Sequence, residues 1–430
     1  IKHIKHEKVS EDGIMTNKSY AIRLLSLITI ICFPFLAVAD HHEGASNLSS
    51  IKPIHSTNFG IDQSEIEQIK AAMQAAVEGN HVPGALLLVG NSKGVGILET
   101  VGMQGPESST PVNKDTIFRI YSMTKPIISV AIMTLVEDGM INLDDPVERF
   151  IPEFANLKII DAETGEIRDA QNSITIENLL THQSGLIQEI FSPGSALGKI
   201  YGEELRGDFT AQKFAAKIGQ LPVYFDPGTA WHYGHSTDVL GAVLEVVSGT
   251  TLDVVLQERI FRPLGMDETT FWVPKTKKFR IAEPIHGAMG DNTVPRKMLS
   301  GGGGLNSTTE DYVRFAEMLL YGGEYRGHRI IEESTLSQMR EKKIGNDVSR
   351  EFFFYGDLGN WGLGFHLQPT TNDPNGPHNF GWRGIGGTIV VIDEENDFYM
   401  IYMEQKRGGP RDAPFNNNIA TRMVYEAMRN

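Results

Sequence analysis

The sequence predicts an α+β fold: an α/β sandwich with an antiparallel sheet flanked by helices, and a mainly helical domain inserted into it. Strand signals cluster toward the two ends of the 430-residue chain, and helical periodicity fills its middle. A run of four glycines at 301–304 marks the return to the first pattern. A discontinuous α/β domain over 61–138 and 300–430, carrying a helical domain over 139–299, reconciles the three observations.

The chain opens on Ile1, so Met15 is the expected start. Lys18 and Arg23 precede an apolar run over 24–36, and Ala37-Val38-Ala39 follows it. A basic head, a short apolar body and small residues are the pattern of a secretory signal peptide cleaved before Asp40. The 13-residue run is too short to cross about 30 Å of hydrocarbon as a helix. The expected destination is therefore secreted or periplasmic, with no stable membrane insertion after cleavage. The only cysteine, Cys32, leaves with that leader. The processed chain then carries no disulfide, no thiolate nucleophile and no cysteine metal site. Residues 40–60 are polar and are expected to be a loose N-terminal segment.

Ile66, Ile69, Met73 and Ala76 recur at three- and four-residue steps, which predicts an amphipathic helix over 61–78. Two apolar runs, 85–89 and 95–101, flank Asn91-Ser92-Lys93-Gly94 and predict a hairpin. An apolar helix is expected over 118–138 and another over 236–248. Ser307-Thr308-Thr309-Glu310 reads as a capping signal for a helix reaching Leu320. Strands are expected at 361–367, 387–393 and 398–404, with a turn over 394–397 between the last two. A helix over 418–428 closes the chain. Composition adds limits. With 40% hydrophobic and 22% charged residues, a disordered chain and a coiled coil are excluded. Fifty-four acidic residues against 39 basic give a net charge of −15, which argues against a nucleic-acid partner.

Chemistry concentrates at Ser122-Met123-Thr124-Lys125. Residues at i and i+3 of a helix share one face. Serine is a weak nucleophile until a neighbouring group takes its proton, and a desolvated lysine can do so. Tyr233 lies in the loop Pro227-Gly228-Thr229-Ala230-Trp231-His232-Tyr233-Gly234-His235, and a phenol beside that lysine can serve as base or shuttle. Gly381-Trp382-Arg383-Gly384-Ile385-Gly386-Gly387 precedes a predicted strand, and its glycines let a substrate approach the backbone. Gly234-His235-Ser236-Thr237-Asp238 lacks the final glycine of a nucleophile elbow, so Ser236 is read as a helix cap. His232 and His235 lack a third ligand and are read as structural or supporting. The glycine run has no Lys-Ser/Thr after it and is no phosphate loop. No cofactor or metal is expected.

From about residue 62 to its end the chain resembles the serine β-lactamase and penicillin-binding superfamily, and most closely the family VIII carboxylesterases. Beyond Ser122 and Lys125 the resemblance rests on Leu143-Asp144-Asp145-Pro146-Val147, Leu179-Leu180-Thr181-His182-Gln183-Ser184-Gly185-Leu186, Pro263-Leu264-Gly265-Met266 and Gly362-Leu363-Gly364-Phe365. It implies a β-lactamase-like fold, a catalytic set of Ser122, Lys125 and Tyr233, and an oxyanion hole from the backbone N–H groups of Ser122 and Ile385. It also implies contact between substrate and Trp382, Gly384 and His235. Two departures matter. Where the superfamily has Tyr-x-Asn, this chain has Tyr233-Gly234-His235, and the imidazole either donates a hydrogen bond or packs. Where lactamases have Lys-Thr-Gly, it has Trp382-Arg383-Gly384. An indole has one N–H and no charge, so it cannot pair with a carboxylate. Arg383, next on the strand, is expected to face away from Trp382.

The expected activity is hydrolysis of short-acyl carboxylic esters through an acyl-enzyme on Ser122, with a small-molecule ester as partner. A β-lactamase or D-alanyl peptidase is the alternative, and a non-catalytic scaffold the reading from another class. The sequence is silent on oligomeric state.

Overall fold

The computed structural model describes residue 51 and residues 60–161, 164–356, 358–371, 378–408 and 413–429. The expected leader, Cys32 and nearly all of the loose N-terminal segment fall outside the described residues.

A seven-stranded antiparallel sheet organises the rest. In chain order its strands are β1 (Gly84–Asn91), β2 (Gly94–Gly102), β3 (Asn360–Trp361), β4 (His366–Pro369), β5 (His378–Arg383), β6 (Ile389–Asp393) and β7 (Phe398–Glu404). Their spatial order is β2-β1-β7-β6-β5-β4-β3. The two ends of the chain meet at the pairing of β1 with β7, where Ala85 faces Glu404 and Gly90 faces Tyr399.

Strict alternation divides the sheet's side chains between two cores. Ala85, Leu87 and Val89 of β1 and Phe398, Met400 and Tyr402 of β7 pack against α1 (Gln63–Glu78) and the C-terminal helix (Asn417–Arg429). Leu86, Leu88, Tyr399, Ile401 and Met403 point the other way, toward α2 (Thr124–Glu137) and α3 (Ser236–Ser248). A sheet covered on both faces reads as continuous apolar runs, which explains the unbroken Leu86-Leu87-Leu88-Val89. α1 buries one stripe, Ile66, Ile69, Met73 and Ala76, as its spacing demands. α2 is buried on all sides from Thr124 to Leu135.

The 139–299 segment supplies short helices such as Ile176–Leu180, Ala196–Glu204 and Ala211–Gly219. It does not bury a core of its own. One apolar cluster runs from Leu86 through Ile128 and Ile132 to Leu179, Ile187 and Leu240. No single helix among the described residues is long and apolar enough to cross a membrane.

Three local expectations need correction. The predicted helix over 118–138 begins six residues late. Phe118–Arg119 pairs with Asn306–Ser307, and Tyr121–Met123 forms a 3₁₀ turn before α2 starts. The predicted strand over 361–367 is broken by a turn at Gly362–Gly364, where Gly364 has φ +89°. Ser236 does not cap α3. His235 holds the N-cap position, and Ser236 Oγ shares a 2.8 Å hydrogen bond with Ser184 Oγ. The capping signal near 307 resolves to Thr308, whose hydroxyl accepts from Asp311 N at 3.1 Å.

Candidate active site

Ser122 sits in the middle of the 3₁₀ turn that feeds α2, directly after Tyr121. Tyr121 has φ +44°, a left-handed conformation that strains a residue with a bulky side chain. Such strain persists only where the surroundings enforce it. Here they do: Ile120 N donates to Leu305 O at 3.1 Å, and Leu305 N donates to Thr124 Oγ1 at 3.2 Å. The segment after the glycine run thus clamps both sides of the turn.

Lys125, one turn on, is 2% exposed. Its Nζ lies 3.2 Å from Ser122 Oγ, donates to Gly302 O at 2.6 Å, and stands 4.6 Å from the centre of the Tyr233 ring. The amine therefore stands between the serine hydroxyl and the face of the distant phenol ring. Gly302 reaches Lys125 because its neighbour Gly301 passes close to the first turn of α3. A Cβ on Gly301 would stand 2.4 Å from Thr237 O.

Tyr233 is walled by other rings. Phe191 meets it edge-on at 5.2 Å, His182 lies at 4.7 Å and Trp382 at 5.5 Å. Burial and the Lys125 charge hold the His182 imidazole well below its usual pKa, so that ring is neutral. Trp382 Nε1 donates to Tyr233 Oη at 3.0 Å. The indole N–H is a donor only, so the phenol oxygen must accept this bond. That fixes how its remaining proton and lone pair are turned.

Two residues that sequence reasoning missed complete the arrangement. Asp238 Oδ1 accepts from Gly302 N at 2.9 Å and from Ser300 Oγ at 2.6 Å. Its Oδ2 lies 2.8 Å from His235 Nδ1, and His235 Nε2 lies 3.3 Å from Glu189 Oε2. Burial opposes a charge on His235, but the hydrogen bonds to both carboxylates outweigh it and hold the imidazole up at about 9. Burial likewise opposes the Asp238 carboxylate, but His235, Ser300 and Lys125 hold it down to about 2. A buried imidazolium thus bridges two carboxylates. One of them carries the loop that receives Lys125, and the other belongs to the Glu189–Phe191 turn at the cleft. Asp238 had a weak signal, an acid in the first turn of a largely apolar helix. Glu189 had none.

A cavity of about 470 Å³ opens on this centre. Ser122, Lys125, Ile190, Phe191, Met289 and Ile385 are among its walls. Ile385 stands at the rim with its side chain 63% exposed, in the β5–β6 connection. Of the three residues expected to touch substrate, none lines the cavity. Trp382 is 5% exposed and turned to Tyr233. His235 is enclosed by Asp238, Glu189 and Phe214. Gly384 serves a close backbone approach, since a Cβ there would stand 2.4 Å from Ile120 O. Arg383 donates to Asn418 Oδ1 at 2.6 Å and lies over the Tyr355 ring, so it leaves Trp382 to act alone on Tyr233. His232 hydrogen-bonds Tyr233 O and Ser192 Oγ. Among the described residues no group of His, Cys, Asp and Glu side chains could hold a metal ion.

A family model described as Beta-lactamase matches residues 69–421 of this chain. The chain belongs to the Beta-lactamase family. Within that family it is similar to Esterase EstB of Burkholderia gladioli, at 28% identity over 372 residues, which cover 78% of this chain and 90% of that protein. It is also similar to the lovastatin esterase of Penicillium rubens, at 26% identity over 342 residues, covering 74% and 82%. Among solved structures, EstCE1, a hydrolase with promiscuous acyltransferase activity, shares the fold with a TM-score of 0.69 at 21% identity, over 86% of this chain and 99% of that one. Simvastatin synthase LovD from Aspergillus terreus does so with a TM-score of 0.70 at 22% identity, over 85% and 98%. The β-lactamase-like fold and the antiparallel sheet flanked by helices agree with what the sequence predicts.

Trp382→Phe separates the indole's donor from its bulk. Phenylalanine keeps an aromatic ring between Trp361, 4.6 Å away, and His366, 5.9 Å away. Losing one hydrogen bond to a buried hydroxyl costs about 1–3 kcal/mol. We expect kcat for p-nitrophenyl acetate to fall about 10-fold, with KM nearly unchanged and the thermal midpoint lowered by a few degrees. An unaltered kcat would show that the indole only fills space.

Proposed function

We propose that this protein is a serine carboxylesterase acting on short-acyl carboxylic esters. Ser122 Oγ attacks the ester carbonyl, and its proton passes to the Lys125–Tyr233 pair. The backbone N–H groups of Ser122 and Ile385 hold the tetrahedral oxyanion. The pair then returns the proton to the departing alkoxide, so the alcohol leaves and an acyl-enzyme remains. Water attacks that acyl group, gives its proton to the same pair, and releases the acid and free Ser122. Donors preorganised around a developing oxyanion are each worth a few kcal/mol of barrier.

The observation that carries the reading is the contact of the buried Lys125 Nζ with both Ser122 Oγ and the Tyr233 ring. The choice of esters over β-lactams rests on Trp382, whose one N–H is already given to Tyr233 and which offers no cation to a lactam carboxylate. The apolar rim of Ile190, Phe191 and Ile385 suits an acyl chain or an apolar alcohol. The names of EstB and of the lovastatin esterase support ester hydrolysis in general.

Steady-state turnover of p-nitrophenyl acetate, butyrate and octanoate, set against a chromogenic cephalosporin, tests the proposal. The short esters should exceed the cephalosporin in kcat/KM by about 100-fold or more, a transition-state difference of about 2.7 kcal/mol. Intact mass after a fluorophosphonate probe should show a single adduct, mapped to Ser122. Preference for the cephalosporin would favour the lactamase alternative, and absence of an adduct would favour the scaffold.

A further inference from the structure

A second cavity, of about 460 Å³, adjoins the cleft at Ser122. The two share Tyr121, Ser300, Gly303 and Arg407 as walls, so they lie side by side across these residues.

Their chemistry differs. The first carries an apolar edge, with Ile190 54%, Phe191 37% and Ile385 63% exposed, beside Lys406 and the shared Arg407. The second is lined by three guanidinium groups, Arg119, Arg296 and Arg407, and by one carboxylate, Asp291. That is a local reversal in a chain whose net charge is −15. Asp291 is already engaged, since it accepts from Thr293 N at 2.8 Å and from Thr293 Oγ1 at 2.7 Å. Arg296 and Arg407 have no carboxylate partner among the described residues, and Arg407 donates to Ala288 O at 2.8 Å. Arg119 is already held by Ala282 O, Glu283, Gly290 O and Asn292 Oδ1, with only its Nε buried and without a hydrogen-bond partner, so the open forks are those of Arg296 and Arg407. A carboxylate entering this cavity would meet forked donors whose geometry matches its two oxygens.

We propose that the second cavity is an anion subsite, and that the preferred esters carry a carboxylate at the end remote from the scissile carbonyl. The inference rests on the esterase reading of Ser122 and deepens it by naming the substrate class. It places the anion on the Arg119 side of the cleft, away from Trp382. The scissile ester itself stays neutral, and the carboxylate is untouched by the reaction.

Mono-p-nitrophenyl esters of adipic and suberic acid, compared with p-nitrophenyl hexanoate and octanoate, match chain length and leaving group and differ only in the terminal charge. We expect the wild-type protein to favour the carboxy ester in kcat/KM by 10-fold or more at low salt, with most of that ratio lost at 0.5 M NaCl. Arg296→Glu, an exposed substitution in a loop, should cut the ratio at least 10-fold. A ratio near one in the wild-type protein, or a ratio that Arg296→Glu leaves intact, overturns the subsite. If neither ester is turned over, the esterase reading fails, and binding alone decides the subsite. Suberate should then quench tryptophan fluorescence in the wild-type protein, because Trp272 lines the cavity, and should not do so in Arg296→Glu. No quench by suberate, or an equal quench in both proteins, overturns it.

Discussion

Ser122→Ala and Lys125→Met should each lower kcat for p-nitrophenyl acetate by about 10⁴-fold, and the double variant should lose no more than either single one. Removing Ser122 Oγ removes the nucleophile. Methionine nearly matches lysine in volume and keeps the packing of α2, but its thioether carries no proton. It deletes the contact to Ser122 Oγ, the hydrogen bond to Gly302 O and the charge beside the Tyr233 ring together. Groups that act on one proton in sequence fail as a unit, which is why their losses should not add. Steady-state kinetics with circular dichroism on all three variants checks this. More than about 1% of wild-type kcat in Lys125→Met would remove the amine from the proton path.

The second large effect is on stability against pH. His235 is held at about 9, above the ordinary value of 6.5, by Asp238 and Glu189. A group raised in the folded state stabilises fully below its unfolded pKa, and that contribution fades as pH rises through the folded one. The window is therefore pH 6.5 to about 9. The amount at stake is on the order of 3 kcal/mol. Tyr201 and Phe214 pack on the ring, and Lys125 acts on Asp238 through its charge alone, so among the described residues His235 is the cation hydrogen-bonded to both carboxylates. Asp311 and Glu404, both pushed up to about 7 by burial, titrate in the same range. The measurement is therefore a difference, urea unfolding of the wild-type protein minus that of His235→Asn, from pH 6 to pH 10. The difference should shrink steadily across the window. A flat difference would show that the ring is neutral throughout. At the acid end the sign reverses. Glu189 is lowered and Asp238 is held down to about 2, so their contribution is present above the usual carboxylate range and is lost as pH falls through about 2.

Much of the fold was legible because local pattern and tertiary role agree. The spacing of Ile66, Ile69 and Met73 suits one buried stripe, and the apolar runs around Ser92-Lys93 suit a hairpin whose first strand is covered on both faces. The start of α2 was not legible. Residues 118–123 have helical composition, but pairing with Asn306–Ser307 pulls the first two into a strand and forces Tyr121 to φ +44°. That pairing joins segments nearly two hundred positions apart, and periodicity within a window cannot register it. The Ser122–Lys125 pair and Tyr233 were readable as motif residues. The task of Trp382 was half readable: its lack of charge is in the sequence, while its donation to Tyr233 depends on where β5 ends. Asp238 and Glu189 show their use only once α3 and the Glu189–Phe191 turn stand side by side.

The pairing of β1 with β7 has a consequence for biosynthesis. β1 pairs with β2 as soon as the hairpin is made, but its other partner arrives only after residue 404 has left the ribosome. Until then the serine's scaffold lacks the middle of its sheet, and loop closure over so long a stretch slows assembly. The site beside Ser122 therefore cannot be complete until synthesis is nearly finished.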